Sequence, residues 1–159
     1  MSANSVADLN TWLRKALLTI LLACSLAFLV QSSAKAASLP SDDEQEILIR
    51  TTLMTFNDAN MTGIYSVLHA KASKQIQTQV SVEKLFEVFQ GFRTKQLFFE
   101  DIVYEDYDSW EPAKFDAEGA LVLAGVFKTD KVKVKYVLRF VQNDKVWKWL
   151  GIEADVTKL

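Results

Sequence analysis

Thiols and imidazoles are almost missing from this chain of 159 residues, which holds one cysteine, Cys24, and one histidine, His69. One cysteine closes no disulfide within the chain. One imidazole without a partner at ligand spacing makes no zinc site. No metal and no cofactor is therefore expected. His69 also has no cysteine, and no serine in a nucleophile-elbow context, to activate. At the end of a short helical stretch it reads as a side chain that hydrogen-bonds a carbonyl or water. Positive charge is short as well, with 18 Lys and Arg against 20 Asp and Glu. Nucleic acid is recognised through clustered positive charge, so it is excluded as a partner. Internal repeats, low-complexity tracts and a second linker are absent, which leaves one domain of ordinary size.

A long hydrophobic run is present only near the N-terminus. Arg14 and Lys15 precede ALLTILLACSLAFLV, residues 16–30, and Ala34-Lys35-Ala36 follows with the small-x-small form that a signal peptidase reads. The run is shorter than the ~20 residues of a spanning helix, so residues 1–36 read as a secretory signal peptide cleaved near Ala36 or Ala37. An uncleaved anchor is the rival. LLAC, residues 21–24, superficially has the form of a lipoprotein box, but SLAFLV follows it and places Cys24 inside the apolar run. Cleavage removes Arg14, Lys15, Lys35 and Asp8, and leaves 15 basic against 19 acidic side chains with no cysteine. The protein is expected in the periplasm or secreted, with no membrane contact after cleavage. Residues 37–42, ASLPSD, form the linker to a single domain over 43–159.

Ser41 with Glu44 three residues on is a capping box. Ile49, Leu53 and Phe56 follow at helical spacing. NDANMTG, residues 57–63, reads as the break after this helix. A short second helix carries Ile64, Tyr65, Val67 and Leu68. Ser81 caps a third, on which Val82, Leu85, Phe86, Phe89 and Phe92 make an apolar stripe. From Gln96 the pattern turns to strands: QLFFEDIVY, then ALVLAGVF after the Glu118-Gly119 turn, then KVKVKYVLRFV with a period of two. QND, residues 142–144, reads as a hairpin turn before KVWKWLGIEADV. Helices followed by an antiparallel meander make an α+β domain.

Three stretches resemble the NTF2-like superfamily, which includes ketosteroid isomerase and scytalone dehydratase: FNDANMTGIYSVLHAKAS, VSVEKLFEVF, and the closing YVLRFVQNDKVWKWLGIEADV. The resemblance covers residues 43–157. It implies three N-terminal helices packed on a curved antiparallel sheet of four or so strands, the cone also described as cystatin-like. The concave side would wrap the long helix and the convex side would form a homodimer.

Alternation gives KVWKWLGIEADV two apolar faces, with Trp147 and Trp149 on one and Leu150, Ile152, Ala154 and Val156 on the other. Two explanations stand. Either the sheet is covered on both sides, with Trp147, Trp149, Val137 and Val141 at an interface, or a bulge at Gly151 flips the register and gathers the large residues on one side. The two-sided sheet is the working expectation.

Phe56, Tyr65, His69, Phe89 and Tyr136 are the candidate pocket residues, since an apolar cone with a few polar groups is the default ligand site. The resemblance implies two functions. The first is an exported, non-catalytic binding domain for an apolar small molecule, a peptide or a partner protein. The alternative is a cofactor-free isomerase or dehydratase, with Tyr65 or Tyr136 as hydrogen-bond donor and Asp58 or Asp101 as base. A buried carboxylate beside a buried tyrosine at an open cavity would mark the enzyme. A cone filled by its own phenylalanines would mark a binding or structural role. Glu100, Asp101, Glu105, Asp106, Asp108 and Glu111 otherwise read as a solvated rim. The NMT at 60–62 has the form of a glycosylation acceptor, a short and common pattern.

Overall fold

The computed structural model describes residues 38–159, and the expected signal peptide, its cleavage site and Cys24 lie outside the described residues. Helix α1, Asp42–Thr62, opens on the expected capping box, with the Ser41 side chain accepting from Glu44 N–H and the Glu44 carboxylate accepting from Ser41 N–H. Asp42, Asp43 and Glu44 add negative charge at the positive end of the helix dipole. The helix runs through the expected break. Asn57 Oδ1 accepts from Phe99 N–H at 2.8 Å, and Asn60 Nδ2 donates to the Phe56 carbonyl at 2.8 Å. Their intrinsic penalty in a helix is under about 1 kcal/mol each, and these buried bonds offset it. Only Gly63 ends the helix, at φ 73° with its N–H on the Ala59 carbonyl, a left-handed cap that glycine adopts without strain.

Four shorter helices follow: α2 Ser66–Ala70, α3 Lys74–Gln79, α4 Val82–Val88 and α5 Gln90–Thr94. The three expected helices are thus five. Ser81 caps α4 as expected, and Ser73, outside the expected caps, starts α3 by accepting from Ile76 N–H. The apolar stripe breaks at Phe89, which ends α4.

QLFFEDIVY forms no strand. Its second half is a 3-10 helix, Glu100–Tyr104, held to α1 by Arg50, whose two terminal nitrogens donate to the Ile102 and Glu105 carbonyls at 2.8 Å. Those carbonyls are engaged by a guanidinium rather than by a neighbouring strand. The sheet begins later, with β1 Tyr107–Ser109, β2 Lys114–Phe115, β3 Leu121–Lys128, β4 Val132–Asn143 and β5 Val146–Lys158. It is antiparallel and open, in the order β1-β3-β4-β5, with β2 also on β3. Asp144 and Lys145, at φ 52° and 66°, make the two-residue turn between β4 and β5.

The register of that hairpin explains the two apolar faces of KVWKWLGIEADV. Arg139 pairs with Gly151 and Phe140 with Trp149, so Leu150 is an extra residue. Beyond this bulge the alternation inverts. Trp149, Ile152, Ala154 and Val156 therefore oppose Phe140, Leu138, Tyr136 and Val134 on one face. The two-sided sheet is corrected to a one-sided sheet with a bulge. That face packs with Ile49, Leu53 and Phe56 of α1, and with Leu121, Leu123 and Phe127 of β3, in one hydrophobic core. No helix among the described residues is long and apolar enough to cross a membrane.

Candidate functional site

Three of the aromatic pocket candidates, Phe56, Tyr65 and Phe89, pack against one another, while Tyr136 lines a separate cavity with Trp110, Glu153 and Asp155. Phe56 is fully buried on α1, with ring centroids 4.8 Å from Phe89, 5.0 Å from Phe92 and 6.3 Å from Phe99. Phe89 also lies parallel to Tyr65 at 6.2 Å. The aromatic partners of Phe89 are on α1, on α5 and at Tyr65. Edge-to-face and offset pairs at 4.5–7 Å add about 0.5–1.5 kcal/mol each to the burial of the rings.

Tyr65 anchors a polar network inside this cluster. Its hydroxyl donates to Asn60 Oδ1 at 2.5 Å and accepts from Arg93 Nη1 at 2.7 Å. Arg93 also donates to the Phe86 carbonyl and lies 3.7 Å from the Phe86 ring centre. Burial pushes the Tyr65 hydroxyl above its ordinary pKa, while Arg93 acts in the opposite direction. His69 Nε2 sits 2.8 Å from the Val80 carbonyl and tethers α2 to the chain before α4. Tyr136 lies apart. Its hydroxyl covers Gly125, where a Cβ would come within 2.4 Å of it and within 2.7 Å of the Asp108 carbonyl. This hydroxyl is buried without a hydrogen-bond partner among the described residues, and burial raises its pKa strongly.

Neither proposed acid is hydrogen-bonded to either tyrosine hydroxyl. Asp58 is exposed on α1, and Asp101 pairs with Lys131 at 2.6 Å. The tyrosine–carboxylate pair expected for the alternative reading is not assembled from these four residues. Among the described residues, no group of three or more His, Cys, Asp and Glu is placed to hold a metal ion.

The two tyrosines yield a contrast that unfolding experiments can measure. Tyr65→Phe leaves the Asn60 oxygen and one Arg93 N–H without their partner, and should destabilise by about 1–3 kcal/mol. Tyr136→Phe removes an unpartnered hydroxyl and should be neutral or slightly stabilising. Equal losses for the two variants in urea titrations would contradict this assignment.

A continuous stretch of open space lies along one flank of α1. A cavity of about 270 Å³ is lined by Leu48, Thr51, Thr52 and Thr55 of α1, by Leu68 and Lys71, and by Phe140, Trp147 and Trp149. It shares Thr55, Leu68 and Lys71 with a cavity of about 290 Å³ that reaches Asp58, Ile64 and Val67. On its other side it shares Leu48 and Trp147 with one of about 290 Å³ that reaches Glu44, Ile47, Lys145 and Val146. Together they form a trough beside the helix from Glu44 to Thr62, about 27 Å at 1.5 Å per residue.

Three of the four threonines of this trough have turned their donors inward. The Thr51, Thr55 and Thr62 hydroxyls donate to the carbonyls of Ile47, Thr51 and Asp58, four residues back, at 2.6, 2.6 and 2.7 Å. Lys71 Nζ donates to Thr55 Oγ1 at 2.8 Å. Trp149 closes the opposite wall. Its Nε1 donates to the Leu68 carbonyl at 3.0 Å, and its own carbonyl accepts from Ser73 N–H at 2.8 Å. Four of the residues that shape the site, Arg93, Asn60, Lys71 and Thr55, escaped the sequence reading. Threonine at 51 and 55 is a helical spacing, but nothing local marks it as the wall of a cavity.

The interface candidates divide. Trp149 is 5% exposed and belongs to the core, and Trp147, half-buried, stacks on Phe115 at 6.4 Å. Both are corrected from an outer to an inner position. Val137 and Val141 do lie on the outer face, half-buried, where their partners in register are Ala124, Glu153 and Lys148.

The chain matches no family model, no curated protein and no solved structure.

Proposed function

We propose that this chain is an exported NTF2-like domain that binds a ligand without transforming it. The observation that carries the reading is the division of the interior. Phe56, Tyr65, Phe89 and Phe92 pack against one another, and a trough with a largely apolar lining stays open beside α1. A well-formed cavity with few convergent polar groups is the usual form of a binding site. The order of elements supports the family: a capped long helix, short helices, then an antiparallel meander closed by a hairpin with tryptophan just after its turn. Export is supported by the basic flank, apolar run and AKA site of residues 14–36.

Native mass spectrometry of the protein purified from its own source tests the reading in one measurement. The polypeptide should begin at Ala37 or Ser38, and a non-covalent adduct should leave on collisional activation. A polypeptide beginning at Met1 would establish the anchor, and a lipid mass on Cys24 the lipoprotein. A chain that turns over small carbonyl substrates without cofactor would establish the enzyme instead.

A further inference from the structure

We propose that the middle cavity of the trough takes an amphiphilic monocarboxylate, its apolar body against Trp147, Trp149 and Phe140 and its carboxylate on the Lys71 ammonium. This inference rests on the binding-domain reading above and names the class of ligand.

The body of the ligand follows from the walls. Leu48, Leu68, Phe140 and two tryptophans surround about 270 Å³. Three of the polar groups there are already engaged. Trp149 Nε1 donates to the Leu68 carbonyl, and the Thr51 and Thr55 hydroxyls donate back into α1. A ligand polar along its length would lose its hydration and find few partners, a desolvation cost that an apolar body avoids.

The charge follows from Lys71. No carboxylate lines this cavity. Lys148 does line it, but alternation sends its side chain to the outer face with Val141. Among the described residues Lys71 forms no ion pair, and its recorded hydrogen bond is to Thr55 Oγ1. An ammonium has three donors, so two remain for an acceptor in the cavity. Thr55 fixes where they point, because its own proton is committed to the Thr51 carbonyl. The wall carrying Lys71 is itself held in place, since Leu68 before it and Ser73 after it both bond to Trp149. Preorganisation of this kind favours binding because little is left to order.

The number of charges follows from the ends of the trough. Asp58 lines the cavity on one side, and Glu44 together with Lys145 the cavity on the other. A second carboxylate would meet a like charge at the first end, and at the second an acid and a base whose charges sum to zero. Neither end offers net attraction to a second anionic group.

Tryptophan fluorescence of the full chain, titrated separately with decanoate, decanol and decanedioate, tests the proposal. Decanoate should bind saturably, and about tenfold more tightly than either of the others, the scale of one charge-assisted contact. Lys71→Gln should lower decanoate affinity to that of decanol and leave decanol binding unchanged. Lys71 is exposed, so the variant keeps its core, and circular dichroism checks this. Equal affinity for decanoate and decanol, or a Lys71→Gln chain that binds decanoate as before, overturns the proposal and leaves the binding-domain reading standing. Tight binding of decanedioate overturns the single-charge argument and with it the proposal. Binding of none of the three overturns the proposal and the trough as a ligand site together.

Discussion

Trp149→Lys is expected to abolish the cooperative fold. The indole is 5% exposed, opposite Phe140 in the β4–β5 register, and its N–H is bonded to the carbonyl of Leu68 in α2. Truncating a buried tryptophan costs about 3–5 kcal/mol, and lysine adds an ammonium that must either be desolvated or lose its proton. Domains of this size are stable by about 5–15 kcal/mol, so the variant stands at or beyond the unfolding threshold. Circular dichroism under urea titration should show a flattened transition or none. Trp149→Phe separates the contributions, because it keeps most of the apolar volume and loses the bond to Leu68, a change of about 1 kcal/mol beyond the packing loss. A Trp149→Lys chain that unfolds at the wild-type midpoint and changes only its sedimentation would place the tryptophan on an outer interface, contrary to the register.

Phe56→Ala should produce the second large loss. Phe56 meets three other phenylalanines, with Phe89 and Phe92 edge-on and Phe99 nearly parallel, and it has no exposed surface. Emptying such a site costs about 3–5 kcal/mol, the higher figure applying where neighbours cannot collapse into the void. The neighbours here are restrained. Asn57, adjacent to Phe56, holds Phe99 N–H, and Arg93, adjacent to Phe92, holds Tyr65. Phe56→Leu, closer in volume, should lose less than half as much. Thermal unfolding of both variants measures the difference. A Phe56→Ala loss under about 1 kcal/mol would be a surface value, and would mean that the aromatic cluster is not packed as described.

Features set by a few neighbouring residues were legible in the sequence. The Ser41–Glu44 box starts α1, Ser81 starts α4, and the lysine–valine alternation of residues 131–135 opens β4. Gly151 signalled the bulge, although as the lesser of two explanations. Features that depend on distant partners were misplaced. Asn57 and Asn60 carry the signature of a turn, yet they sit inside a helix because a backbone N–H forty-two residues away and a carbonyl one turn back use their amides. FFEDIVY has the composition of a strand, yet its second part is a 3-10 helix, with Arg50 of α1 bonded to the Ile102 carbonyl within it and to the Glu105 carbonyl just after it.

The candidate site divides in the same way. Its aromatic members stood out by composition, and the sequence alone determined that the chain would be α+β, with capped helices first and an antiparallel meander after them. Capping, turn formation and binary alternation act over one to four residues, so they are written locally. Which face Trp149 occupies, whether the phenylalanines leave a cavity or close it, and that Lys71 and Thr55 meet sixteen residues apart were decided by the tertiary structure. A single extra residue at Leu150 inverts every side chain of a strand relative to its partner. Such an inversion is settled by which face finds a core to pack against.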